Sequence, residues 1–179
     1  MSVFTNPANA ARESAQAYIT AVLGLVEGRD PMEVLGATGA RLRELIAGRS
    51  EGELNRPERD GKWSLAQVVA HLADSELVWG YRMRRILAEP RPRIEGYDQD
   101  LWAERLDYAS ADVASSLAVF DALRSAHLRL LAATTAADLR RVGVHDERGE
   151  ESVAHLIRLY AGHDLLHLRQ MERIAAAPV

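Results

Sequence analysis

His163 and His167 stand four residues apart in the stretch Gly162 to Ile174, which otherwise reads as a buried helix. Val153, Leu156, Ile157 and Tyr160 before them, and Leu168, Met171 and Ile174 after them, fall at helical spacing on one face. Side chains at i and i+4 project from the same face, with Cβ atoms about 5–6 Å apart. Two imidazoles so placed can reach one metal ion at roughly 2.0–2.1 Å. His71 lies on the flank of another long apolar stripe and is a candidate third ligand. Three protein nitrogens leave a coordination position open, the pattern of a catalytic rather than a structural site. Imidazole suits Zn, Ni, Cu and Fe(II). An open divalent ion lowers the pKa of bound water, or of a thiol, and so generates a nucleophile. Without a metal, the same histidines would need hydrogen-bond partners such as Tyr160 or a carboxylate. Asp74 and Asp164 are near enough in sequence to orient the rings.

The remaining candidates read mostly as scaffold. His127 and His155 fit helix-surface positions. His145 lies in a loop that can overhang the site, and it is retained as a catalytic candidate together with Arg82. Solvated surface is the simpler reading for Glu76, Asp98 and Arg82 itself. Trp63, Trp79 and Trp102 read as packing residues.

The elements that must position these residues are helical. Tyr18, Ile19, Val22, Leu23 and Val26 recur at helical spacing from near Ala8 to Val26. Asp30 followed by Pro31 is a helix start, and that helix runs to about Ala47. Residues 49–62 are polar, contain Pro57 and read as a loop. Ser64 with Gln67 has capping-box spacing and opens a long helix that carries His71 and stops at Pro90 and Pro92. Residues 90–108 form a connection with one short helix around Trp102. Ser110 or Asp112 caps the next long helix, residues 134–150 form a loop, and the last helix starts near Ser152. No segment alternates with a two-residue period, so no sheet is expected. Four long helices make an all-α bundle, with the N-terminal helix (residues 1–29) as an extension outside a bundle of residues 30–176.

The 179 residues are 47 % hydrophobic and carry a formal net charge of -4, which suits a packed domain and leaves no basic footprint for nucleic acid or membrane. One lysine, Lys62, stands among 22 basic residues, a compositional bias with no functional reading. The absence of cysteine excludes disulfides, thiolate ligands and cysteine nucleophiles. The N-terminus has no signal-peptide pattern and no apolar run approaches a membrane span, so a cytoplasmic location is expected.

KWSLAQVVAHLADSE (62–76), YRMRRIL (81–87) and AGHDLLHLRQMERI (161–174), in this order and spacing, resemble the DinB-like, or YfiT-like, family of metal-dependent enzymes. The likeness runs from about Asp30 to Ile174. It implies an up-down-down-up four-helix bundle, a homodimer, and a divalent metal, Zn or Ni first and Fe or Mn as alternatives. The family's three histidine ligands map onto His71, His163 and His167. Relatives include thiol-dependent transferases that use bacillithiol or mycothiol, a mycothiol-dependent maleylpyruvate isomerase, and a domain of ergothioneine-forming sulfoxide synthases. The leading expectation is transfer of a low-molecular-weight thiol to a small-molecule substrate. The alternatives are hydrolysis by a metal-bound hydroxide and a non-catalytic, stress-related metal-binding bundle.

Overall fold

Side-chain caps set the starts of the four long bundle helices. In the computed structural model, which describes residues 12–177, Asp30 accepts from the Met32 amide at the head of α2 (Pro31–Ile46). Ser64 and Gln67 exchange the two hydrogen bonds of a capping box at the head of α4 (Leu65–Ala88). Ser152 accepts from the His155 amide at the head of α7 (Val153–Ala176). Each cap satisfies amides that the helix itself cannot. Asp112 does the same for α6 (Val113–Ala132), and Asp98 for the short α5 (Gln99–Arg105) around Trp102. The first helix, α1 (Arg12–Leu25), lies against α7, and the expected start near Ala8 falls outside the described residues.

Two expectations fail. The polar stretch 49–62 contains a short helix, α3 (Glu51–Asn55), held by a second capping box between Ser50 and Glu53. The connections also contain a small three-stranded sheet. Strand β1 (Arg93–Ile94) pairs in parallel with β2 (Val142–His145), which pairs antiparallel with β3 (Gly149–Ser152). The strands are only two to four residues long, too short to show an alternating pattern. The β2–β3 pair is a local hairpin, whereas β1 reaches β2 from a segment distant in sequence, and Gly143 is required there because a Cβ would meet Ile86 at 2.8 Å.

Cross-helix contacts give the helix directions. Thr38 meets Asp164 and Arg41 meets Glu172, so α2 and α7 run parallel. Leu35 meets Arg124 while Arg43 meets Asp121, so α2 and α6 are antiparallel. Glu76 meets Arg124 and Gly80 abuts His127, which makes α4 and α6 parallel. His71 meets His163 and Trp79 stacks on Tyr160, which makes α4 and α7 antiparallel. The bundle is therefore up-down-down-up. Parallel neighbours α4 and α6 need a connection that returns the length of the bundle, which is why residues 89–112 are so long.

Two apolar clusters fill the interior. One holds Ile19, Val22, Trp79, Met83, Ile86, Leu131, Leu156 and Tyr160, and the other Leu42, Trp63, Leu65, Val69, Leu72, Phe120, Leu168 and Ile174. Burying such side chains contributes roughly 1.5–3 kcal/mol each. Between them, α4, α6 and α7 each present buried polar residues at one level: His71, Ser75 and Glu76; Arg124 and His127; His163, Asp164 and His167. The bundle is two apolar clusters with a polar belt between them.

Candidate metal centre

His71 comes from the second turn of α4, and His163 and His167 from successive turns of α7. The antiparallel packing of these helices brings all three rings together, with centroids 4.5–5.2 Å apart. Each residue offers one nitrogen to a common point, these atoms lying within 4.8 Å of one another. His71 Nε2 and His163 Nε2 are 3.1 Å apart. Trp63 closes one side, its ring 4.9 Å from His71 and stacked on His167 at 6.4 Å. Ser75 Oγ lies 3.4 Å from His71 Nε2.

Burial keeps the rings neutral. It pushes His163 down to about 3, with the Arg124 charge adding to the effect. Burial, followed by the neighbouring imidazoles, holds His71 well below its ordinary value. His167 is lowered in the same way by burial and His163, against a hydrogen bond from Nδ1 to Gln170 at 3.0 Å. Neutral imidazoles expose ring lone pairs, the form that binds metal.

The arrangement fits one divalent ion. Two nitrogens bound at 2.0–2.1 Å to one ion lie about 3 Å apart in tetrahedral or octahedral geometry, close to the His71–His163 separation. As a metal-free hydrogen-bonded cluster the triad is poorly satisfied. His71 Nδ1 and His163 Nδ1 are buried without a hydrogen-bond partner, and Tyr160, the partner expected from sequence, makes no hydrogen bond either. Buried polar atoms without partners are uncommon and call for a physical cause.

The carboxylates expected to orient the rings do something else. Asp74 accepts from the Tyr108 hydroxyl at 2.5 Å. Asp164 accepts from Thr38 at 2.7 Å and from Arg124 at 2.7 and 3.2 Å. Gln170 is the residue that orients His167.

Further readings from sequence are corrected by burial. Glu76 is fully buried, not solvated, and binds Arg124 at 2.5 and 2.8 Å. His127 is buried, not on the surface, with Nδ1 2.7 Å from Glu76. Arg82 is buried as well, and His145 sits in β2 rather than in a loop. His155 is half-buried, 3.9 Å from Glu151, and Asp98 is a helix cap. Arg124 was missed, although its place in the series Phe120, Arg124, His127, Leu131 puts a charge on the inward stripe of α6. Thr38, between Leu35 and Leu42 on α2, carries the same signal.

Known proteins share the fold. YfiT of Bacillus subtilis, named a probable metal-dependent hydrolase, is 31 % identical over 146 residues, covering 79 % of this chain and 82 % of the relative. A Geobacillus thermodenitrificans protein named in similar terms is 30 % identical over 173 residues, covering 96 % of this chain and 89 % of its own. The solved YfiT structure, described as an unusual four-helix bundle, superposes with a TM-score of 0.76 at 30 % identity over 80 % of this chain and 83 % of that one. The DinB superfamily profile matches residues 35–171, a span that holds all four bundle helices in large part and the whole triad, and the chain belongs to that superfamily.

Proposed function

We propose that His71, His163 and His167 bind one divalent metal ion and that the protein is a metal-dependent hydrolase of a small molecule. The observation that carries this reading is the convergence of three buried, neutral imidazoles from two helices, with two ring nitrogens 3.1 Å apart. When bound, such an ion lowers the pKa of a coordinated water and polarises a carbonyl or phosphoryl oxygen. The protein's own groups do the rest. Gln170 fixes the His167 ring. Trp63 covers the triad and keeps water off that side. Ser75, next to His71 and hydrogen-bonded to Tyr97, provides a pair of hydroxyls along which a proton can move.

Hydrolysis is the better-supported reaction, ahead of thiol transfer. YfiT and the Geobacillus relative both carry hydrolase names. Elemental analysis of untagged protein purified without chelator tests the metal. Near-stoichiometric metal in wild type, lost in His71→Ala and His163→Ala, is expected; wild type that holds none and takes none up overturns the reading. An ester and amide panel assayed with and without added thiol then separates the two reactions, since hydrolysis proceeds with water alone.

A further inference from the structure

A second group of buried polar residues lies further along α4, beyond the metal centre and towards the sheet. Arg82 is three turns on from His71, roughly 16 Å of axis rise, and is 6 % exposed. Among the described residues no carboxylate lies within ion-pair distance of it. Its one hydrogen bond there runs from Nη2 to the Glu95 carbonyl at 2.5 Å. Its guanidinium lies 6.0 Å from the Trp79 ring centre and 5.8 Å from that of Tyr97. His145 is 1 % exposed. Its Nδ1 accepts from the Glu147 amide at 3.2 Å, so the proton of the neutral ring sits on Nε2, and this N–H is buried with no acceptor. Burial, then the charges of Arg148 and Arg82, lowers His145 to about 3, which keeps it neutral. Arg148 is the third member, bound to Glu151 by hydrogen bonds of 2.6 and 2.9 Å. Its charge acts on Arg82, His145, Tyr97 and Tyr18 alike.

The balance of this group is one-sided. Arg148 is neutralised by Glu151. Arg82 has no such contact partner: burial followed by Arg148 lowers its pKa to about 10, and the charges of Glu151 and Glu147 offset this only from beyond ion-pair distance. Glu147 nearby is half-buried, its carboxyl raised by burial, and it is not within ion-pair distance of either arginine. A buried cation with no ion-pair contact and a buried N–H without an acceptor are both costly, and an acceptor anion relieves either cost.

We propose that Arg82 and His145, with Arg148 beside them, form a binding pocket for the carboxylate of the substrate. A guanidinium without a carboxylate in contact has a free fork of N–H donors, and that planar fork matches a carboxylate. Tyr97 connects the pocket to the metal centre, its hydroxyl bonded to Ser75 and its ring facing Arg82. The pocket's role as the anchor of a substrate rests on the hydrolase reading; the pocket itself does not.

The test uses the full chain, metal-free and metal-loaded, titrated with benzoate, with neutral benzamide and with inorganic phosphate. The readout is the 1H–15N resonance of His145 Nε2–H, assigned with His145→Gln. The expected result is a saturable shift with benzoate in both forms, no shift with benzamide, and at least about tenfold weaker binding in Arg82→Met, as loss of a charge-assisted hydrogen bond implies. Arg82→Lys keeps the charge without the fork, and weakening there serves if Arg82→Met does not fold. An absent benzoate shift, an equal benzamide shift, or binding of phosphate alone overturns the proposal. Benzoate binding in a protein that takes up no metal would sink the hydrolase reading and leave the pocket standing. Metal uptake without benzoate binding would do the reverse.

Discussion

The polar belt has two halves that meet the same problem in opposite ways. Around Arg124 every strong group is answered. Its guanidinium binds Glu76, Asp164 and the Leu35 carbonyl and lies 4.6 and 4.9 Å from the Phe120 and Tyr160 ring centres. His127 takes the other Glu76 oxygen, and Thr38 adds a bond to Asp164. This network ties α2, α4, α6 and α7 together. One residue along α7, at His163, satisfaction stops: the histidine triad keeps unpartnered Nδ1 atoms on two of its three rings. A satisfied buried network specifies a structure, whereas an unsatisfied one of neutral donors is a site for something else. The two are joined covalently through His163–Asp164 and Ser75–Glu76, so the network that sets the helix register also sets the spacing of the triad.

Breaking the satisfied half has the largest expected effect. Arg124→Met removes the guanidinium from two buried carboxylates and lowers stability by about 3–5 kcal/mol, read from denaturant unfolding. A loss below about 1 kcal/mol would mean that the network is not the structural half. Removing a member of the other half behaves differently. His163→Leu in metal-free protein changes stability little or raises it, because it removes a poorly satisfied buried imidazole. Wild type with metal at 100 times its Kd gains about 2.7 kcal/mol, and the variant gains none. Metal stabilisation that persists in the variant would separate the triad from the metal.

The third expectation is a pH dependence. The folded pKa of His163, about 3, lies below its unfolded value near 6.5. Between those values the unfolded chain binds the extra proton. Stability is therefore complete above pH 6.5 and is lost as pH falls towards 3, by up to about 1.4 kcal/mol per pH unit for this group. His163→Leu flattens that slope in metal-free protein, and an unchanged slope would show that the ring is not held neutral. The smallest effect is expected at Gln170→Leu, which releases the His167 ring and costs about 1 kcal/mol of stability but about tenfold or more in metal affinity. Equal metal binding by this variant would remove Gln170 from the site.

Much of this was legible in the chain. The caps at Asp30, Ser64 and Ser152, the boundaries of the four long helices and the pairing of His163 with His167 on one helix face all follow from local patterns, because each depends on residues within a turn or two of one another. The readings that failed concern polar residues on inward stripes. Glu76, His127 and Arg82 were assigned to water because an ionisable side chain is ordinarily exposed unless a partner compensates it. For Glu76 and His127 those partners lie on another helix, and Arg124, which binds Glu76, was not singled out. Asp74 and Asp164 were assigned to the histidines for their nearness in sequence, whereas Tyr108 and Arg124, from other elements, bind them in fact.

What the sequence by itself determined is the set of helices and the residue types on their inner faces, since helix period and capping are local. Only the tertiary structure decided which of those residues face one another. The parallel pairing of α4 with α6 and of α2 with α7 sets that, along with the three short strands that close the end of the bundle at His145. A buried charge or imidazole takes its protonation and its role from partners tens of residues away, and only packing brings those partners within hydrogen-bonding distance.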